Sequence, residues 1–115
     1  MQFKIILAPV KTEITDQVVD AAKKAGATGA TIIPARGTGV HEAKTFFGLT
    51  LEAQTDIIMF LIEEHHVRDI LSAIQTAGNF SKPGTGIAFV LPVEHVIGLE
   101  SQLERIRDEV RDQYF

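Results

Sequence analysis

The residue types best suited to chemistry fall in one turn, Asn79-Phe80-Ser81-Lys82-Pro83-Gly84-Thr85-Gly86. Gly84 and Gly86 let a backbone approach a ligand closely, Ser81 and Thr85 offer hydroxyls, and Lys82 offers a point charge, the ingredients of an anion site. It is not a Walker loop, because no Gly-Lys-Ser/Thr follows at the required spacing and the turn leads into a strand rather than a helix. The competing reading is an ordinary glycine turn with an exposed lysine. Arg36-Gly37-Thr38-Gly39 offers a second anion contact at the end of a predicted strand. The two segments face one another only if the fold or its symmetry mates bring them together.

Other polar clusters carry less. His65 and His66 follow Glu63 and Glu64, but adjacent residues point in different directions and no second pair has i, i+4 ligand spacing. A role at the start of a helix fits them better than metal binding, and His41-Glu42 is equally unspecific. No Ser-His-Asp constellation and no carboxylate pair in an evident pocket can be assembled, so neither an enzyme nor an obligatory cofactor is expected. The chain contains no cysteine, which excludes disulfides, thiolate catalysis and zinc-thiolate sites.

These segments hang on a regular frame. Phe3 to Ala8 reads as a buried strand bounded by Pro9. From Thr12 to Ala25, Ile14, Val18, Ala21, Ala22 and Ala25 make a helical stripe stopped at Gly26. Ala30 to Ala35 is a second strand and Asp56 to Glu63 a third, the most apolar of all. Val67, Ile70, Leu71, Ile74 and Ala77 form a second stripe ending at Gly78. Ile87 to Leu91 is a strand checked by Pro92, and Val96-Ile97 is a short edge strand. Residues 99–113 read as a C-terminal helix, opened by a Ser101 to Glu104 capping box and carrying Leu99, Leu103, Ile106 and Val110 on one face.

The halves repeat. Ile5-Ile6 and Ala25-Gly26 recur as Ile57-Ile58 and Ala77-Gly78, both at an offset of 52, while Gly29 and Gly86 are offset by 57, which places five extra residues in the Lys82 turn. Two β-α-β units joined by a long connection predict an α+β, ferredoxin-like βαββαβ sandwich with both helices on one face, forming a single domain over 1–115. The other face needs a cover, which predicts a homo-oligomer.

Residues 36–54 are long for a connection inside a compact domain and lack a secondary-structure period. A glycine-containing polar root leads to an apolar cluster, so the expected partner-binding residues are His41, Lys44, Phe46, Phe47, Gly48 and Leu49. The competing reading is a hairpin-like extension that packs its phenylalanines on its own core. A net charge of −4 gives no footprint for DNA. Aromatics beside Gly48 suggest an RNA-recognition module, but the strands lack its basic and aromatic pattern. No signal sequence or long apolar run appears, so a cytoplasmic location is expected.

The β-α-β halves, the long loop after the second strand and Lys82-Pro83-Gly84-Thr85-Gly86-Ile87-Ala88-Phe89-Val90 resemble the nitrogen regulatory P-II family of trimeric signalling proteins, from Met1 to about Gly98. The resemblance implies that residues 36–54 are the partner-engaging T-loop and 79–86 the B-loop that holds nucleotide phosphates, in clefts between subunits. Gly37, Thr38, Gly39, Ser81, Lys82, Gly84, Thr85 and Gly86 are then the ligand-binding residues. An adenine nucleotide or another small anion is the implied ligand, and a membrane transporter the implied partner. The family's Thr-Gly-Lys-Ile-Gly-Asp-Gly-Lys turn appears as Phe80 to Ile87, which keeps one lysine and two glycines. The Gly-Arg-Gln root appears as Gly37-Thr38-Gly39, and the Arg-Thr-Gly-Glu segment as Leu99-Glu100-Ser101-Gln102. The loop has no tyrosine or serine to be modified. The divalent-cation tolerance proteins, also trimeric and ferredoxin-like, are the alternative, with His41, Glu42, His65 and His66 as the material for a metal site.

Overall fold

The computed structural model describes residues 1–36 and 54–99, together with the backbone at 45–46 and 49–50. The strands are β1 (Phe3–Lys11), β2 (Thr31–Ala35), β3 (Thr45–Phe46), β4 (Leu49–Thr50), β5 (Thr55–Glu63) and β6 (Phe89–Val93). The helices are α1 (Thr15–Lys24) and α2 (Val67–Ala77), each led in by a single 3-10 turn, Thr12–Ile14 and Glu64–His66. β2, β5, β1 and β6 lie side by side in that order, every neighbouring pair antiparallel. This is the expected ferredoxin-like sandwich.

Alternation along the strands divides the residues between two faces. Ile6, Ala8 and Val10 of β1 meet Ile58, Phe60 and Ile62 of β5, and α1 and α2 close over them with Val18, Val19, Ala22, Ile70 and Ile74. Phe60 is fully buried and is among the largest side chains there. Phe60→Ala removes that volume and leaves a cavity, so it should cost about 3 to 5 kcal/mol. Thermal unfolding should then occur more than about 10 °C lower; a smaller loss would mean that the two helices collapse onto the vacated space.

The opposite face is apolar and open. Ile5, Leu7, Ile57 and Met59 are half-buried there, while Ile33, Leu61, Phe89 and Leu91 are each at least 40% exposed. Both outer strands carry a proline at the fourth position, Pro34 in β2 and Pro92 in β6. A residue without an N–H is tolerated in a sheet at an edge, where its missing donor faces outward.

The internal repeat is closer than the sequence landmarks indicate. β1, the first 3-10 turn and the start of α1 recur in β5, the second turn and α2 at an offset of 52, whereas β2 and β6 differ by 58. The second half therefore has six extra residues rather than five, and Gly29 and Gly86 are not equivalent positions.

Several boundaries differ from expectation; β6 begins at Phe89 rather than Ile87, and α1 at Thr15 rather than Thr12. β1 does not stop at Pro9 but runs to Lys11. The Pro9 carbonyl accepts from Ile87 N at 3.1 Å, on the β6 side. In a strand the N–H and C=O of one residue point the same way, so the missing Pro9 donor also faces that side, where the ladder with β6 has ended at Leu7 opposite Phe89. β6 runs through Pro92 to Val93, because that edge makes no demand on its nitrogen. Val96 and Ile97 form no strand, and Ile97 is 91% exposed. Of the expected C-terminal helix, only Leu99 falls among the described residues.

Candidate ligand-binding site

One end of the sheet gathers the glycine turn and Arg36, the described residue of the second expected anion contact. Ala35, the last residue of β2, is opposite Thr55, and Thr55 is opposite Lys11. Two strand spacings, about 10 Å, thus separate the root of the long loop from the end of the central strand. On the far side of Lys11 lies the glycine turn: Lys11 N donates to Thr85 O at 3.2 Å, and Val10 bridges to Gly86. The next residue, Thr12, donates its N–H to Gln54 O at 3.0 Å, at the other root of the loop. Backbone hydrogen bonds therefore join the turn to the loop root through Lys11 and Thr12.

The turn is internally braced. Asn79 has φ +51 and Gly84 φ +84, both left-handed, and only the glycine adopts that region without steric cost. Lys82 N donates to Asn79 O at 2.9 Å. The Thr85 hydroxyl lies 2.9 Å from Asn79 O and 3.0 Å from Lys82 O, and its single proton holds the two ends of the turn together. That hydroxyl is buried and occupied, whereas Ser81 and Lys82 are exposed.

Gly86 serves packing as well. A β-carbon there would lie 2.8 Å from both Phe80 Cε1 and Val10 Cγ1 and 3.0 Å from Pro9 O. The same Phe80 ring covers Gly78, where a β-carbon would come within 2.8 Å of Cδ1. Phe80 is thus the anchor that seats the turn on the sheet, a role that composition alone does not suggest. A large apolar residue between two glycines is the available signal.

Among the described residues three cations belong to this end: Arg36 after β2, Lys11 at the end of β1 and Lys82 in the turn. Lys11 is not among the expected site residues, since the strand is expected from its sequence to end before it. Of the nearby acids, Glu13 is exposed, and Asp56 is buried with its Oδ2 accepting the Thr15 hydroxyl at 2.7 Å. That bond ties the first residue of α1 to β5 beside the loop root. Gly37, Thr38 and Gly39 lie outside the described residues, as do His41, Lys44, Phe47 and Gly48. Around them Thr45 is paired with Thr50 and Phe46 with Leu49, so the stretch holds a two-stranded ladder. The absence of a periodic pattern conceals it because each strand is only two residues long.

The histidine cluster occupies the opposite end, since Phe3 pairs with Glu63 about 27 Å along β1 from Lys11. Glu63 caps the second 3-10 turn: its Oε2 accepts from His65 N at 2.8 Å and its Oε1 lies 2.6 Å from His65 Nδ1. Glu63, Glu64 and His65 present donor atoms within 4.8 Å of one another. Both Glu63 oxygens are already engaged by His65, and a metal would have to displace those contacts. His66 is buried against Gly26, where a β-carbon would lie 2.6 Å from its Nδ1. These residues work as the helix start. His41 and Glu42 lie outside the described residues.

Comparison with known proteins agrees with the ferredoxin-like class. The family model described as nitrogen regulatory protein P-II matches residues 3–107. A nitrogen regulatory protein P-II from Azospirillum brasilense is 30% identical over 103 residues, covering 85% of this chain and 92% of that protein. A PII-like signalling protein from Thermus thermophilus superimposes with a TM-score of 0.62 at 26% identity, over 81% of this chain and 87% of that one. CPII from Thiomonas intermedia, solved bound to ADP, AMP and acetate, shares the fold with a TM-score of 0.62 at 21% identity, over 82% of this chain and 90% of its own. The chain belongs to the P-II family of signal-transduction proteins. Among the described residues no helix is long and apolar enough to cross a membrane.

Proposed function

We propose that this chain is a cytoplasmic homotrimeric sensor of a small anionic ligand, an adenine nucleotide first among them, bound between subunits at the end of the sheet that carries Lys11, Arg36 and Lys82. The observation that carries the reading is the hydrogen-bonded connection from the Thr85 turn through Lys11 and Thr12 to Gln54. A ligand that moves or stiffens the turn acts through that connection on the root of the loop. Ser81, Lys82 and the backbone at Gly84 are the groups the turn offers, with Gly37, Thr38 and Gly39 from the loop root. Thr85 and Gly86 contribute by holding the turn's shape.

The loop then engages or releases a partner through His41, Lys44, Phe46, Phe47, Gly48 and Leu49. A membrane transporter is the partner in this reading. Such a switch requires the ligand to favour one loop state over the other by about 1 to 3 kcal/mol, the usual range of coupling energies.

ADP and AMP are the first probes, since the Thiomonas relative was solved with both. Binding to the folded chain raises its melting temperature in proportion to the logarithm of ligand concentration. Lys82→Ala should weaken nucleotide binding by about tenfold or more, the equivalent of about 1.4 kcal/mol, through loss of one charge-assisted contact. The unliganded melting temperature should stay within about 2 °C, because the side chain is exposed. Equal affinity in calorimetric titrations of parent and variant would remove the turn from the site. Stabilisation by divalent cations alone, lost in His65→Ala, would move the assignment to the metal-binding alternative.

A further inference from the structure

We propose that Gln17 is a positioning residue for the glycine turn, and that the start of α1 forms a second link from that turn to the loop root. The link presupposes the ligand site assigned above, whereas the hold of Gln17 on the turn does not.

The link begins where α2 ends. Asn79 N donates to Thr76 O at 3.2 Å and Phe80 N to Gln75 O at 3.1 Å, with Asn79 left-handed between helix and turn. This is a Schellman ending, which satisfies the two carbonyls before the last and leaves that of the last helical residue open. Here the last residue is Ala77, and Gln17 Nε2 of α1 donates to its carbonyl at 2.8 Å. The same ending delivers Phe80 to the sheet, and its Asn79 carbonyl is the one that accepts from Lys82 N and the Thr85 hydroxyl. Gln17 thus steadies the stalk from which the whole turn hangs.

Thr15 makes the other end of the link. Side chains two apart on a helix point in different directions, so one turn of helix can serve two neighbours. Gln17 reaches sideways to α2 from an exposed position, while Thr15, 4% exposed, donates its hydroxyl to Asp56 Oδ2 at 2.7 Å. Asp56 is also buried, the second residue of β5, and Gln54 two positions before it accepts from Thr12 N. A buried carboxyl group keeps its donor firmly, because losing it leaves a desolvated polar group unsatisfied. Only about 3 Å of helical rise separates Thr15 from Gln17. Hydrogen bonds between rigid elements carry coupling of this kind. An anion that shifts the turn therefore pulls on Ala77, and α1 passes the shift to Asp56, in parallel with the backbone route through Lys11 and Thr12.

The chemistry at position 17 sets the expected order of variants. Gln17→Ala removes the donor, whereas Gln17→Lys supplies an ammonium group, which is favoured beside the last carbonyls of a helix. Amide exchange in the full chain, read residue by residue, is the test. Without ligand, Gln17→Ala should speed exchange at Phe80 and Lys82 at least about fivefold. Its melting temperature should stay within about 2 °C of the parent's, because the position is exposed. Gln17→Lys should bring both rates back to within about twofold of the parent's. Parent rates in Gln17→Ala, or rates in Gln17→Lys as fast as in Gln17→Ala, would overturn the positioning role. With saturating ADP, exchange at Thr12 in the parent should change at least about threefold, and Gln17→Ala should show less than about half of that change. No change in an ADP-bound parent, or an equal change in both chains, would overturn the link through α1. A parent that fails to bind ADP would overturn the ligand reading instead, and the ligand-free rates at Phe80 and Lys82 would still decide the role of Gln17.

Discussion

Replacing residues 40–53 with Asn-Gly is expected to yield a folded protein about 1 kcal/mol more stable than the parent that still binds its small ligand but no longer engages its partner. The way the excursion closes makes this possible. Chain leaves the sheet at Ala35 and returns at Thr55, and these two residues are direct cross-strand partners. The ends of the connection are therefore a strand spacing apart whatever its length. Shortening it from about nineteen residues to about seven lowers the closure entropy by about 0.9 kcal/mol, since the cost rises with the logarithm of length. Arg36 to Gly39 and Gln54 remain, so the proposed ligand contacts and the Thr12 N to Gln54 O bond are kept. Denaturant titration reads the stability, calorimetry the ligand, and co-purification the partner. A variant that loses about 2 kcal/mol or more would show instead that the loop packs on the core, the competing reading of Phe46 and Phe47. One that still retains the parent's partner would free the loop from its proposed role.

Leu7→Glu should convert the proposed trimer to monomers. Leu7 is at the centre of the open face, between Met59 of β5 and Phe89 of β6. Burying a leucine at an interface stabilises by about 1.5 to 3 kcal/mol, and a desolvated carboxylate without a partner costs several kcal/mol more. Threefold symmetry applies both effects three times per assembly. Light scattering should show a mass near three times 12.6 kDa for the parent and near 12.6 kDa for the variant. Leu91→Glu, at a position 43% exposed in the single chain, tests the same face with less risk to the fold. A parent that is monomeric at micromolar concentration would remove the inter-subunit cleft from the functional reading, and a trimer unaffected by both changes would place the interface elsewhere.

Much of the frame is readable because each half repeats one pattern. Ile5-Ile6 and Ile57-Ile58 fall on equivalent strands, and Gly26 and Gly78 follow equivalent helices, so one assignment supports the other. The turn is legible because lysine, hydroxyls and glycines occur together. What residue types conceal is use: Thr85 and Gly86 look like ligand contacts, yet the hydroxyl braces the turn and the missing β-carbon makes room for Phe80 and Val10. Lys11 is hidden because Pro9 ordinarily ends a strand, and the direction of a missing N–H is decided by the neighbour beyond it. His65 and His66 do form the start of a helix, as their sequence suggests, with Glu63 as the cap that spacing does not single out.

For the proposed trimer, the prolines at the fourth positions of β2 and β6 bear on what happens to a subunit before it finds its neighbours. An orphan chain exposes an apolar face, so it is prone to stick. Fibre growth requires an edge that can pass hydrogen bonds to the next strand without interruption, and both outer strands lack a donor midway. A newly made subunit is thus steered away from cross-β stacking and toward face-to-face encounters, which are reversible and include the correct one. The sheet protects the assembly pathway by what its rims cannot do.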